Sequence, residues 1–293
     1  MTDHIRDIPQ VVGRPAGYVN DATGTQHVVY RGDSDFNVIN EVRWDGTGLH
    51  YTNLNLAAGT RAGAATGSGD PAAYVFRAQG TEHVVYRGFD DHVHELWKDA
   101  SGWHHSDLTA VTGAPAAAGD PAAYVFDAEG SQHVIYRAGN GHLYELWWTA
   151  TQGWNQGDLT VAAGSPPAAG DPGAYAFRAE GTQHVVYRTA DGHLHEMWWR
   201  PGPGSHDGDL TIAARPPKPN APADLTLTKQ ADRMVTVSWV DRSANEDGFE
   251  IRFHGTRDGF SDQGGSREVE RNVTTADLGG LRSGYDYRIS VIA

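Results

Sequence analysis

From Gln183 to Arg188 the chain alternates, with His184, Val186 and Arg188 falling on one side and Gln183, Val185 and Tyr187 on the other. A period of two rich in β-branched and aromatic residues predicts a strand. A second run follows, ending in Trp198 and Trp199, and Thr-Ala-Asp-Gly lies between the two. Asp-Gly, or the Asn-Gly found in a neighbouring copy, signals a tight hairpin with glycine at positive φ. With Ala190-Asp191-Gly192 as a three-residue loop, antiparallel pairing sets Arg188 opposite Leu194, Val186 opposite Glu196 and His184 opposite Trp198. One face of the hairpin then carries His184, Arg188, Glu196 and Trp198, and the other carries Tyr187, His195 and Trp199. A two-residue loop would change that partition.

The pattern recurs. Gly181–Trp199, Gly130–Trp148 and Gly80–Lys98 are near-copies, and Gly24–Trp44 is a worn one. The repeated histidine stands at His27, His83, His133 and His184, with spacings of 56, 50 and 51 residues. Periods near this length belong to arrays and propellers. A third short apolar run precedes each later hairpin, at Ala73–Phe76, Ala123–Phe126 and Ala174–Phe177, introduced by Gly-Asp-Pro at Gly69, Gly119 and Gly170. A fourth follows it, ending in Asp-Leu-Thr at Asp107, Asp158 and Asp209. Four strands per unit predict a propeller blade. Residues 4–12 read like another fourth strand, giving five such strands for four hairpins. Either that strand closes the ring with the last blade, or it hangs outside four self-contained blades. The first unit departs most: Arg14 replaces the aspartate of Gly-Asp-Pro, the hairpin loop is longer, and residues 46–68 add Gly, Ala and Thr.

The repeats stop before Arg215–Pro222, a proline-rich stretch of the kind that separates domains. Beyond it lie Ala-Asp-Leu-Thr-Leu after Pro222, Val-Thr-Val-Ser-Trp ending at Trp239, Gly-Phe-Glu-Ile-Arg-Phe ending at Phe253, and Leu281 to Val291 with Tyr287. This part resembles a fibronectin type III domain, which implies that Trp239 is its core tryptophan and Tyr287 its corner tyrosine. The last strand of that family is absent from the sequence, which predicts an open sheet edge. The expected fold class is therefore all-β: a four-bladed β-propeller over residues 1–214, a linker at 215–221, and a sandwich without its last strand at 222–293.

Composition narrows the function. The formal charge of −14 offers no basic stripe, which argues against nucleic acid. The absence of cysteine removes thiol chemistry and cysteine-ligated zinc. No stretch is apolar enough for membrane insertion, and the amino terminus reads as neither signal peptide nor anchor, which predicts a cytoplasmic chain or export by a non-classical route. His92-Val-His94 and His193-Leu-His195, with His104 and His105 nearby, are weak candidates for a metal, and partly solvated histidines are the plainer reading. No carboxylate pair recurs at acid/base spacing and no Gly-x-Ser-x-Gly or phosphate-binding loop is present, so no enzyme and no cofactor are predicted.

An arginine and a glutamate beside an indole suit a sugar, because the charged groups bond vicinal hydroxyls while the ring covers the apolar C–H face. The candidate ligand-binding residues are Arg87, Glu95 and Trp97 in the second unit, Arg137, Glu145 and Trp147 in the third, and Arg188, Glu196 and Trp198 in the fourth. The first unit keeps His27, Arg31 and Glu41 but has Arg43 at the tryptophan position, so binding is expected in units two to four. The competing reading is that the same residues are an internal ion pair and packed aromatics. The repeats, with G-D-P-x-A-Y-x-F, G-T-Q-H-V-V-Y-R, D-G-H-L-H-E-L-W-W and W-x-x-x-D-L-T within residues 69–210, resemble the bacterial propeller lectins related to the Photorhabdus luminescens lectin. That resemblance implies non-enzymatic, multivalent binding of fucose- or galactose-type glycans at sites between blades. The alternative is a structural or protein-docking scaffold, and assembly into a homo-oligomer stays open.

Overall fold

Each hairpin grows on both sides into a four-stranded antiparallel sheet, here called a blade. The computed structural model describes residues 8–33, 37–60, 66–202, 204–215, 218–231 and 233–293. Blade 1 holds β1 (Val11–Asn20), β2 (Thr25–Gly32), β3 (Ile39–Trp44) and β4 (Leu49–Asn53), followed by the one-turn helix α1 (Leu54–Ala57). Blade 2 holds β5 (Ala72–Phe76), β6 (Thr81–Arg87), β7 (Val93–Asp99) and β8 (Gly102–Asp107), then α2 (Leu108–Thr112). Blade 3 repeats this with β9 (Ala122–Phe126), β10 (Ser131–Arg137), β11 (Leu143–Thr149), β12 (Gly153–Asp158) and α3 (Leu159–Ala163). Blade 4 has β13 (Gly173–Phe177), β14 (Thr182–Arg188), β15 (Leu194–Arg200), β16 (Gly204–Asp209) and α4 (Leu210–Ala213).

In blade 4 the register sets Arg188 opposite Leu194, Val186 opposite Glu196 and His184 opposite Trp198. The Thr189 N–H donates to the His193 carbonyl at 2.9 Å and closes a three-residue loop, with Gly192 at φ 86°, a conformation glycine adopts without strain. The period-two reading of two-sided strands thus fixes which residues share a face.

Two sequence expectations are corrected. Of residues 4–12, the first four lie outside the described residues, and Val11 and Val12 open β1, which pairs with β2 from Val11–Gly32 to Asn20–Thr25. Residues 8–10 of this run lie in no strand, and Val11 and Val12 belong to the first strand of blade 1 and not to a fourth strand. The Asp-Leu-Thr triplets also end otherwise than expected: the strand stops at the aspartate and Leu-Thr begins a helix. Oδ1 of Asp107, Asp158 and Asp209 accepts the N–H three residues on, at 2.9 Å in each case. This is an N-cap, which satisfies a helix donor that would otherwise go unpaired. The other oxygen accepts from Nδ1 of His92, His142 and His193 at 2.6–2.8 Å. The threonine hydroxyl in turn accepts the first N–H of the neighbouring strand, as with Val93 to Thr109 at 2.8 Å. Loop, strand and helix are tied at one carboxylate.

The core lies between blades, not within them. Val29, Ile39 and Tyr18 of blade 1 pack on Val84, Tyr86 and Leu96 of blade 2. Phe76, Val85 and Val93 meet Val134, Tyr136 and Leu146 at the next junction. Phe126, Ile135 and Leu143 meet Val185, Tyr187 and Met197 at the third. This is why both faces of a strand are apolar.

The chain divides into two units, residues 1–214 and 215–293. In the second, β17 (Ala223–Ala231), β18 (Met234–Val240) and β21 (Thr275–Gly279) form one sheet, and β19 (Gly248–Arg257), β20 (Phe260–Glu270) and β22 (Asp286–Ile292) the other. Trp239 is buried with Val237, Phe249 and Ile251 between the sheets. The Tyr287 hydroxyl accepts the Arg282 N–H at 2.8 Å, fixing the turn before β22.

Candidate functional site

Within each hairpin the repeated histidine sits two residues after a hydroxyl residue on the same strand face and opposite the aromatic position of the next strand. In blade 3 the Ser131 Oγ lies 2.7 Å from His133 Nε2, and His133 Nδ1 lies 2.8 Å from Glu145 Oε1. A carboxylate only accepts, so Nδ1–H is the donor. Thr25–His27–Glu41, Thr81–His83–Glu95 and Thr182–His184–Glu196 repeat the arrangement. The connectivity is that of a nucleophilic triad, but the hydroxyl residues Ser131, Thr25, Thr81 and Thr182 are all buried. The chain of bonds holds the glutamate in place.

Accessibility separates the repeats. Glu41 and Glu95 are buried, whereas Glu145 and Glu196 are half-buried. Glu95 is thus buried as the partner of His83 and not of an arginine, while Glu145 is both held and reachable. A cavity of about 420 Å³ opens between blades 3 and 4, with Glu145, Trp147 and Tyr124 on one wall and Gln183 and Trp199 on the other; Trp198, from the opposite face of β15, also lines it. The Tyr124 hydroxyl donates to Gln183 Oε1 at 2.8 Å, with Glu145 Oε1 at 3.4 Å. Burial, and then the nearby Glu145 carboxylate, push this phenol well above its ordinary value, so it remains a donor.

The indoles lie flat along the blade. A Cβ on Gly157 would stand 3.3 Å from the Trp147 ring, and one on Gly208 3.2 Å from Trp198; glycine at these positions leaves room for the ring. Trp97 instead stacks on His104, centroid to centroid at 4.2 Å, and Trp198 on His206 at 5.2 Å.

The arginines are not brought to the glutamates. Arg87 reaches Asp91 at 2.7 Å, and Arg137 and Arg188 donate to the carbonyls of Ala118 and Ala169, each at 2.7 Å. Arg31 and Arg137 also approach the Gly-Asp-Pro aspartates of the following blade, Asp70 and Asp171, both at 3.9 Å. Their geometry is that of a latch between blades. Beside it, Asp120 is raised by burial and by the neighbouring Asp171 and Asp70 carboxylates, against the Asp70 N–H that it accepts. Glu145, Trp147 and Trp198 of the sequence-derived set therefore share one cavity, and Arg137 and Arg188 stand outside it.

Sequence reasoning missed Tyr124, Gln183 and Trp199. A signal existed: the tyrosine of the first strand recurs as Tyr18, Tyr74, Tyr124 and Tyr175. The His-x-His pairs also have partners. His92 bonds Asp107, while His94 bonds Asp90 at 3.0 Å and lies 3.1 Å from His105. His193 bonds Asp209, and His195 lies 3.2 Å from Asp207.

The fibronectin type III domain model matches residues 220–293. No curated protein matches the chain in sequence. Among solved structures, an arginine-to-alanine triple variant of AofleA from Arthrobotrys oligospora aligns with a TM-score of 0.55 at 17% identity, covering 95% of this chain and 90% of that one. AofleA without those substitutions gives 0.53 at 16%, covering 93% and 92%. A fungal lectin from Aleuria aurantia, described as a six-bladed β-propeller with a novel fucose recognition mode, gives 0.47 at 16%, covering 88% and 78%. At these identities the likeness to the two AofleA structures is one of fold.

Proposed function

We propose that the blade repeats form a propeller lectin, non-catalytic and multivalent, that seats glycans in the grooves between blades. The observation that carries this reading is the cavity between blades 3 and 4. It is walled by indoles and holds a carboxylate, Glu145, that is oriented by His133 yet open to the cavity. Its volume lies in the range of small-ligand sites. A pyranose laid against Trp147 or Trp199 puts its C–H face on the ring and its hydroxyls toward Glu145 and Gln183, the division of labour that sugar recognition requires.

The chain contributes four blades. The junction of blades 2 and 3 offers the same set, Glu95, Trp97, Gln132 and Trp148, in a more tightly packed form. The junction of blades 1 and 2 has Arg43 and Lys98 at the two indole positions and is expected to bind least. The fucose- or galactose-type class is what the resemblance of the repeats implies. Each site is shallow, so affinity on a dense glycan surface arises from several sites acting together, a gain of roughly 10²- to 10⁴-fold. Residues 222–293 act as a separate sandwich without a part in sugar binding, and 215–221 as the spacer. The test is a titration of the full chain with L-fucose and with galactose, followed through the indole N–H resonances. Shifts confined to Trp147, Trp198 and Trp199 support the reading. Resonances unmoved by either sugar or by any glycan on an array leave the scaffold alternative.

A further inference from the structure

Each junction between blades is keyed by two pairs of side chains. Between blades 2 and 3, the Tyr74 hydroxyl donates to Gln132 at 2.8 Å and Phe76 meets Trp148 edge-on, ring centroids 5.7 Å apart. Between blades 3 and 4, Tyr124 donates to Gln183 at 2.8 Å and Phe126 meets Trp199 at 6.5 Å. The first junction uses a different key: Asn20 stands at the phenylalanine position and donates to Glu82 at 2.8 Å, while Lys98 stands at the tryptophan position, 3.3 Å from the same carboxylate. Phenylalanine thus goes with glutamine and tryptophan, and asparagine with glutamate and lysine.

The two ends of the series carry unmatched halves of one key. The outer face of blade 4 presents Tyr175 and Phe177, and the outer face of blade 1 presents Gln26 and Trp44. Tyr175 is 45%, Phe177 43% and Leu194 44% exposed, where Tyr124, Phe126 and Leu143 are 7%, 2% and 0%. On blade 1, Val28 is 46% and Trp44 42% exposed, where Val134 and Val185 are 0% and 4%. Tyr175, with no glutamine before it, turns to its own Glu196 at 3.0 Å. Contiguous apolar surface of this kind marks an interface.

We propose that blade 4 of one chain packs on blade 1 of a second copy, with Tyr175 bonding Gln26, Phe177 meeting Trp44, and Leu194 and Val186 covering Val28. The contact is heterologous, and two copies that exchange it twice close a ring of eight blades, within the range of known propellers. The occupant is a second copy because its face is the same half-interface that fills the equivalent place at two junctions inside the chain, and because both faces are exposed within one chain. Arg14 stands where the other blades have the aspartate that Arg31 and Arg137 approach, so Arg188 finds no latch there. This makes the 4-to-1 junction the weakest of the ring and the natural boundary between chains. Glu196 and Trp198 of one chain then face Gln26 and Trp44 of the other across a groove like that of blades 3 and 4. The assembly itself does not depend on whether any groove binds a glycan.

The test is the mass of the full chain by sedimentation and light scattering across micromolar concentrations. The expected value is twice the 31.7 kDa of one chain. Phe177→Glu and Trp44→Glu should each give the single-chain mass with little change in melting temperature, since both side chains are exposed in one chain. An equimolar mixture of these two variants retains one intact junction and should recover the double mass, which a contact of like faces would not do. Because the chain has no cysteine, Phe177→Cys with Trp44→Cys and a short bismaleimide gives an independent reading, a covalent species of twice the mass. A wild-type chain that stays at 31.7 kDa throughout, variants that keep the double mass, or a cross-link formed only within one chain would overturn the proposal.

Discussion

Replacing Trp147 by alanine separates a binding indole from a packing one. The ring is half-buried, lies over Gly157, and faces the cavity between blades 3 and 4, outside the apolar core of that junction. A fully buried tryptophan removes about 150–250 Å² from water, so a half-buried one removes roughly 100 Å². At about 25 cal/mol per Å² its loss costs ~2.5 kcal/mol. For a unit of this size that lowers the melting temperature by roughly 5–10 °C, leaving the chain folded at room temperature. In binding, the lost stacking contributes on the order of 1 kcal/mol, or about five-fold in each site's dissociation constant. The control is Leu146→Ala, fully buried at the junction of blades 2 and 3, which costs about 2–5 kcal/mol and touches no cavity wall. Both variants are melted and then titrated on a glycan-coated surface at a temperature where both are folded. Trp147→Ala should lose affinity and Leu146→Ala should keep it. If Leu146→Ala loses as much, or Trp147→Ala loses none, the indole is a packing residue and the assignment of the site fails.

Glu145→Gln keeps an acceptor for His133 while removing the charge, so it should weaken binding with a small effect on melting; Glu95→Ala, which strips a buried partner from His83, should lower stability by roughly 3 kcal/mol in thermal melts. Asp158→Ala removes an N-cap at a cost of about 0.5–2 kcal/mol, and adding His142→Ala should cost little more, since both act through the same carboxylate; denaturant titration of the single and double variants measures the coupling. The hydrogen bond and charge of Asp107 raise the His92 pKa against burial, so this pair's contribution to stability is present below the ordinary histidine range and is lost as pH rises through the higher folded value. Proton-detected titration should place the His92 midpoint above that of a free histidine, and Asp107→Asn should bring it down. Deleting residues 222–293 should leave glycan binding unchanged on the same surface assay.

The blade was legible because period two and Asp-Gly together determine a register. Once Gly192 closes the loop, His184 must face Trp198, and the faces follow. What the pattern left open is which neighbour covers each face. Arg137 and Glu145 share a face, yet the arginine is drawn to the Ala118 carbonyl, 19 residues away, and toward Asp171, 34 residues on, and partners so distant in sequence leave no mark on local alternation. The helices were hidden for another reason: Leu-Thr-Ala-Val-Thr is β-branched enough to pass for a strand, and Asp107 overrides it by capping the turn. The internal role of Glu95 was weighed in the sequence, but burial alone separates it from Glu145, whose residue type and spacing are the same.

Cores that lie between blades make the face, and not the blade, the thing that must be preserved when the number of repeats changes. Excising blade 3 would bring Tyr74 to Gln183 and Phe76 to Trp199, pairings of a kind the chain already uses, and two junctions would remain. Excising blade 2 would set Asn20 against Trp148 and Tyr18 against Gln132, leaving an amide on an indole with no carboxylate to receive it. Repeats can therefore be lost or gained toward the carboxyl end of the series at little structural cost, while the first two blades are bound to each other and travel as a pair.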